Sequence, residues 1–122
     1  MSSDDPRLRD GLLDLRDAGH LVAMVVAETD RATYAESPTG SLALERAVSN
    51  FGEAASRLHS RNPDFEARHP ELEIGNAIKT RAVIVHNYDG IDRRLLWDTA
   101  IADVPRVTGQ VEALLGEYDG TQ

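Results

Sequence analysis

The chain of 122 residues contains no cysteine. That excludes structural disulfides, thiolate metal sites and a cysteine nucleophile, and it fits a reducing compartment. Histidine is scarce: His20, His59, His69 and His86 show neither HxxxH nor HExxH spacing, so no metal centre is expected. A glycine loop that could cradle phosphate is missing, and so is a serine at a nucleophile elbow. No apolar run approaches the length of a membrane span, and the opening MSSDDPRLRD has no apolar signal core. The expectation is a cytoplasmic protein with no cofactor, no metal and no membrane contact. Strand-like alternation, internal repeats and low-complexity tracts are also absent.

Positive charge is the minority: 13 Lys and Arg stand against 21 Asp and Glu, for a formal net charge of −8. Such a balance weighs against nonspecific, phosphate-led nucleic-acid binding, while leaving room for a local basic pocket. One window departs from it. Between Lys79 and Arg94, four cations (Lys79, Arg81, Arg93, Arg94) face two carboxylates (Asp89, Asp92); this window carries +2, and subtracting it from −8 leaves −10 elsewhere. Chance clustering of surface charge accounts for such a window as readily as a site does.

What is present is helical periodicity over nearly the whole chain, and its length suits one domain over residues 1–122. Asp5 and Pro6 open a first helix whose stripe of Leu8, Leu12, Leu15, Val22, Val25 and Val26 extends to about Tyr34. Gly11 and Gly19 weaken it locally without ending it. SPTG at 37–40 reads as a break. The second helix has a narrow seam of Leu44, Ala47, Val48, Phe51, Ala54, Ala55 and Leu58. SRNPDFEARHPE reads as a connection, and a third helix begins near Glu71, carrying Ile74, Ala77, Ile78, Ile84 and Val85 to a Gly90 cap. Asp92 caps a fourth, with Leu96, Trp97, Ala100, Ile101 and Val104 on its apolar face. Pro105 is expected to kink or divide it, although the stripe continues through Val107, Val111, Leu114 and Tyr118. The fold class that follows is all-α, an antiparallel four- to five-helix bundle.

The chemistry concentrates in RAVIVHNYDGID, residues 81–92. In an ideal helix Arg81 and His86 lie roughly 140° apart, whereas Arg81 and Tyr88 lie within about 20° of each other. A joint site therefore needs an irregular helix end or a second copy of the helix, and a twofold dimer supplies the latter. Histidine, with an ordinary pKa of about 6.5, can accept the 2′-hydroxyl proton of RNA near neutrality. Arginine can hold the phosphate through two parallel hydrogen bonds and offset developing charge. A helix end that happens to carry polar residues accounts for the same three side chains.

The ordered combination of further features resembles the HEPN superfamily, in its HepT-like (DUF86) branch. Those features are GEA on the second helix, the R-x4-H-x-Y element of Arg81, His86 and Tyr88, the ID and tryptophan after it, and DVP before a last apolar helix. The resemblance implies a homodimer whose motif residues face a cleft between subunits. It also implies the toxin of a type II toxin–antitoxin pair, a metal-independent ribonuclease neutralised by a minimal nucleotidyltransferase (MNT) antitoxin. Arg81 would then bind phosphate, His86 act as acid and base, and Tyr88 serve as a site residue and as a target for AMP transfer. Lys79, Arg93 and Arg94 are candidates for further phosphate contacts, with solvation in a first helical turn the plainer role for Arg93 or Arg94. Ala82 stands where the family usually carries a polar residue, which bears on catalytic strength more than on fold or dimerisation. Two other readings use the same residues: a non-catalytic scaffold or substrate subunit of a nucleotidyltransferase, and a helical dimer that binds a nucleotide. Trp97, on the apolar stripe, reads as a core or interface anchor rather than a base-stacking platform.

Overall fold

The structure, a computed structural model, describes residues 6–29, 34, 38–75, 78 and 93–118, without the side chains of 38–41, 93 and 118. Every regular element among them is helical. Helix α1 spans Pro6–Glu28, α2 Pro38–Arg61, the single-turn α3 Phe65–Arg68, α4 Arg93–Asp98 and α5 Val104–Tyr118. A 3-10 turn at Pro70–Leu72 follows α3, and a π-helical segment, Thr99–Asp103, joins α4 to α5. The architecture is the expected antiparallel all-α bundle, with α1 packed against both α2 and α5.

The periodicity of α2 translates directly into its packing. All seven seam residues, Leu44, Ala47, Val48, Phe51, Ala54, Ala55 and Leu58, are buried. From α1 they meet Leu8, Leu12, Leu15 and Val22, each fully shielded. Burial of one such leucine stabilises the fold by roughly 1.5–3 kcal/mol relative to exposure. Gly11 and Gly19 act as contacts rather than weak points. A Cβ at Gly11 would stand 2.9 Å from Leu58 Cδ1, where α1 and α2 touch.

At Gly19 a Cβ would overlap Thr108 Oγ1 of α5 and stand 3.1 Å from both Cβ and Cγ2 of that residue. Thr108 cannot swing away easily, because it is buried and its hydroxyl donates to the Val104 carbonyl at 2.7 Å. Gly19→Ala is therefore expected to lower stability by about 1–3 kcal/mol despite alanine's better helix propensity. Thr108→Ala in the same chain should recover part of the loss, and thermal melts of the two single variants and the double variant check it.

Several expected boundaries differ. The first helix ends at Glu28 rather than running to Tyr34: the Thr29 N–H turns back to Val26 O at 3.2 Å, tightening the last turn. Tyr34 instead reaches across to Trp97, with ring centroids 5.0 Å apart. Residues 38–40 of the expected break lie inside a helix, since α2 begins at Pro38. A proline at the first helical position loses no hydrogen bond, and glycine is tolerated in a turn whose N–H groups have no intrahelical partner. The connection 60–71 contains α3, whose Phe65 is buried. Glu71 belongs to the 3-10 turn, and helical geometry resumes only at residue 74. The proposed caps Asp5, Asp92 and Gly90 lie outside the described residues, as do Ala77, Ile84 and Val85.

Pro105 does not divide the last segment, which is helical without a gap from Arg93 to Tyr118. A proline inside an α-helix clashes with the carbonyl four residues earlier. Here the preceding turn is π-helical, with the Val104 N–H bonded to the Thr99 carbonyl, five residues back. The buried face there is centred on Leu96 and Ala100 and takes in Thr99, so Ile101, expected inside, falls beyond its edge and is 46% exposed. Further along, Leu115 is buried while Leu114 is only partly so.

Candidate functional site

Lys79, Arg81, His86 and Tyr88 lie outside the described residues, and so does Ala82. The described residues form the frame on either side of them. On the approach, Leu72 and Ile74 are both fully buried, and Ile78 is partly buried against the same core. Between the two buried residues the chain passes through Glu73 in the left-handed region, φ 52° and ψ 46°. A side-chain-bearing residue there costs about 1–2 kcal/mol, which the burial of its two neighbours offsets. The chain thus leaves the 3-10 turn and re-enters helical geometry with both flanking side chains in the core.

Arg106 of α5 holds this approach from outside. Its Nη1 donates to the Glu71 backbone carbonyl at 3.0 Å and to Gln110 Oε1 at 3.1 Å, while Nη2 lies 3.6 Å from Glu73 Oε2. Sequence reasoning did not single out Arg106. The only signal along the chain is its spacing of four residues from Gln110, which says nothing about the turn that it clasps.

Glu71 also meets His69, at 3.1 Å between Nδ1 and Oε2, and the His69 ring stacks on Phe65 with centroids 4.9 Å apart. The Glu71 carboxyl is held below its ordinary value, first by its own backbone N–H and then by the His69 side chain. A folded-state value lower than the unfolded one means stability that is present above the ordinary carboxylate range and lost as pH falls through the lowered value. Glu71→Gln should accordingly melt below wild type at neutral pH, with the difference closing as the solution is acidified through that range.

On the far side of the motif, Arg93 opens α4 and Arg94 is exposed in its first turn, where it has an interaction of its own. Trp97, one turn on, is 7% exposed and packed against Tyr34. Its indole face is occupied, so it is a core anchor and does not offer a platform to a base. Gly52 of α2 is buried and Glu53 beside it is half-buried with a partner. Among the described residues there is no group of three or more metal-ligating side chains, and no helix is long and apolar enough to cross a membrane.

A model of the family described as "Ribonuclease HepT-like" matches residues 15–114, a span that includes the whole R-x4-H-x-Y element. A Thermococcus cleftensis protein named "Probable ribonuclease HepT" is 29% identical over 106 residues, which is 87% of this chain and 94% of the relative. A "Putative RNase" of Methanocaldococcus jannaschii is 28% identical over 101 residues, 83% of this chain and 90% of its own. A third relative, a "Putative RNase" of Caldanaerobacter subterraneus, is 24% identical over 82 residues, 67% of this chain and 70% of its own. No solved structure matches the chain.

Proposed function

The chain belongs to the ribonuclease HepT-like family, and from that membership we propose that it is an endoribonuclease that cleaves RNA without a metal ion. Arg81 and His86 carry the reaction. The observation that supports this most is the family match over residues 15–114, because it spans the whole R-x4-H-x-Y element of Arg81, His86 and Tyr88.

The steps follow from the side chains. His86 in its neutral form takes the proton of a ribose 2′-hydroxyl, and the 2′-oxygen attacks the adjacent phosphorus. The bond from phosphorus to the 5′-oxygen breaks, and that oxygen takes up the proton now held by the His86 imidazolium. Arg81 neutralises the charge that builds on the non-bridging oxygens. The products are a 2′,3′-cyclic phosphate and a 5′-hydroxyl.

The two residues act across a homodimer cleft, Arg81 from one protomer with His86 from its partner. Mixing separates this arrangement from a site within one chain. Arg81→Ala and His86→Ala proteins, each inactive, should regain up to about a quarter of wild-type activity after subunit exchange, since half the dimers would be mixed and each would have one intact site. Mixtures that stay inactive although heterodimers form contradict the shared cleft. In the cell the protein acts as a toxin, held in check by a minimal nucleotidyltransferase that transfers AMP to Tyr88. The scaffold reading gains ground if the protein binds that partner but leaves RNA intact once freed from it; Ala82 beside Arg81 is what favours a weakened site.

A further inference from the structure

We propose that a surface pocket lined by Arg7, Arg61 and Arg68 binds a phosphate group of RNA, apart from the residues that cleave it. The pocket lies where the first turn of α1 meets the end of α2, and Asn62, Pro63, Asp64 and Phe65 complete its lining. Three arginines against one aspartate give it a net of two positive charges, in a chain whose total is −8. This inference rests on the ribonuclease reading, since it presumes an RNA substrate.

The turn beneath the pocket is fixed. Asn62 is buried; its N–H donates to Leu58 O at 2.9 Å, its Nδ2 to the same oxygen at 3.3 Å, and the Phe65 N–H returns to Asn62 O at 3.0 Å. Phe65 anchors the turn in the core at 1% exposure. Arg61 and Arg68 therefore project from the two ends of a rigid corner. Both are exposed, and neither is ion-paired to a carboxylate among the described residues. Arginines serving only the fold would be expected to bridge to acids, which this chain has in excess.

The chemistry of the lining favours phosphate. Guanidinium forks match phosphate oxygens through paired hydrogen bonds. Arg7 has an interaction of its own, which leaves Arg61 and Arg68 as the main cations. It is the second residue of a helix of 23 residues, and the positive end of the helix dipole adds to the same corner. Phe65 is buried and presents no face on which a base could stack, so the pocket should contact the backbone of an RNA strand irrespective of its sequence. A chain this acidic repels RNA as a whole. Its affinity must come from local cationic points, and this corner provides one outside the motif window.

The test uses a fluorescent RNA oligonucleotide with 2′-O-methyl riboses, which lacks the attacking hydroxyl, prepared with and without a 5′-phosphate. Binding anisotropy is measured over a salt series for wild type, for Arg61→Gln/Arg68→Gln, and for Arg46→Gln/Arg57→Gln, which removes the same charge from exposed positions elsewhere on α2. The pocket variant should bind at least about tenfold more weakly, and its salt slope should fall by about 0.7 for each phosphate it no longer neutralises. The control should stay close to wild type, and all three proteins should melt alike. A loss confined to the 5′-phosphorylated RNA assigns the pocket a terminal phosphate; an equal loss on both RNAs assigns it an internal phosphodiester.

Unchanged affinity and slope in the pocket variant, or an equal loss in the control, overturns the proposal. So does a pocket variant that binds RNA normally but has lost affinity for the nucleotidyltransferase, which would make the corner a protein contact. Cleavage of unmodified RNA by the same proteins keeps the two claims apart. His86-dependent cleavage with unchanged affinity defeats the pocket alone, whereas a wild type that neither binds nor cleaves RNA defeats both.

Discussion

His86→Ala is expected to lower the rate of RNA cleavage by about 10²–10⁴-fold, the range that positioned acid–base groups supply. The effect should fall on kcat, with RNA affinity and the melting temperature close to wild type, because in the proposed mechanism the imidazole transfers a proton more than it holds the strand. Arg81→Ala should cost about 10²–10³-fold, and Arg81→Lys should recover only part of it, since an ammonium cannot reproduce two parallel hydrogen bonds. On the proposed mechanism the wild-type rate should decline at acid pH, because the reaction needs a neutral imidazole to accept the 2′-hydroxyl proton. Single-turnover cleavage of a labelled RNA across a pH series checks all of this. A His86→Ala protein that cleaves as fast as wild type removes His86 from the mechanism, whatever the fate of the fold.

The second large effect is on stability. Trp97→Ala should cost about 3–5 kcal/mol, the usual range for deleting a buried indole or phenyl ring. Trp97 is 7% exposed, packs on Tyr34 with ring centroids 5.0 Å apart, and sits two residues before the π segment. Tyr34, itself buried, is the described residue between α1 and α2 that reaches this cluster. Without the indole, Tyr34 loses its aromatic partner on α4. Against a total stability of about 5–15 kcal/mol, the variant should be marginal at room temperature. Trp97→Phe, which keeps an aromatic partner for Tyr34, should lose much less. Urea titrations of the three proteins decide the point. A Trp97→Ala chain with native stability and weakened RNA affinity would instead mark a base-stacking role.

Long amphipathic stretches are legible from sequence because burial and periodicity coincide in them. The seam of α2 and the Leu8, Leu12, Leu15 and Val22 stripe of α1 are both core, as their spacing requires. Features set by contacts between distant segments are not legible. Gly19 reads as a weak point until Thr108 is placed against it, and Arg106 reads as a surface charge until it reaches Glu71. A four-residue helix such as Phe65–Arg68 is too short to show a period at all. Pro105 is expected to kink or divide its helix because proline is disruptive in an α-helix; the π turn before it is invisible to periodicity measured at a single helical pitch. The site is legible in a different sense. Spacing alone places Arg81 and His86 on different sides of a helix, and only the resemblance makes them partners. The described residues show how the chain enters and leaves that stretch, through Glu73 on one side and α4 on the other.

We propose cleavage by 2′-hydroxyl attack without a metal. Its most direct test is the chemistry of the ends left on an RNA treated with purified wild-type protein in excess EDTA, freed from any bound partner. Fragments with 2′,3′-cyclic phosphates and 5′-hydroxyls are expected, formed by wild type and lost in His86→Ala. Intact RNA under those conditions, or 5′-phosphate and 3′-hydroxyl ends that appear only with added magnesium, would contradict that claim.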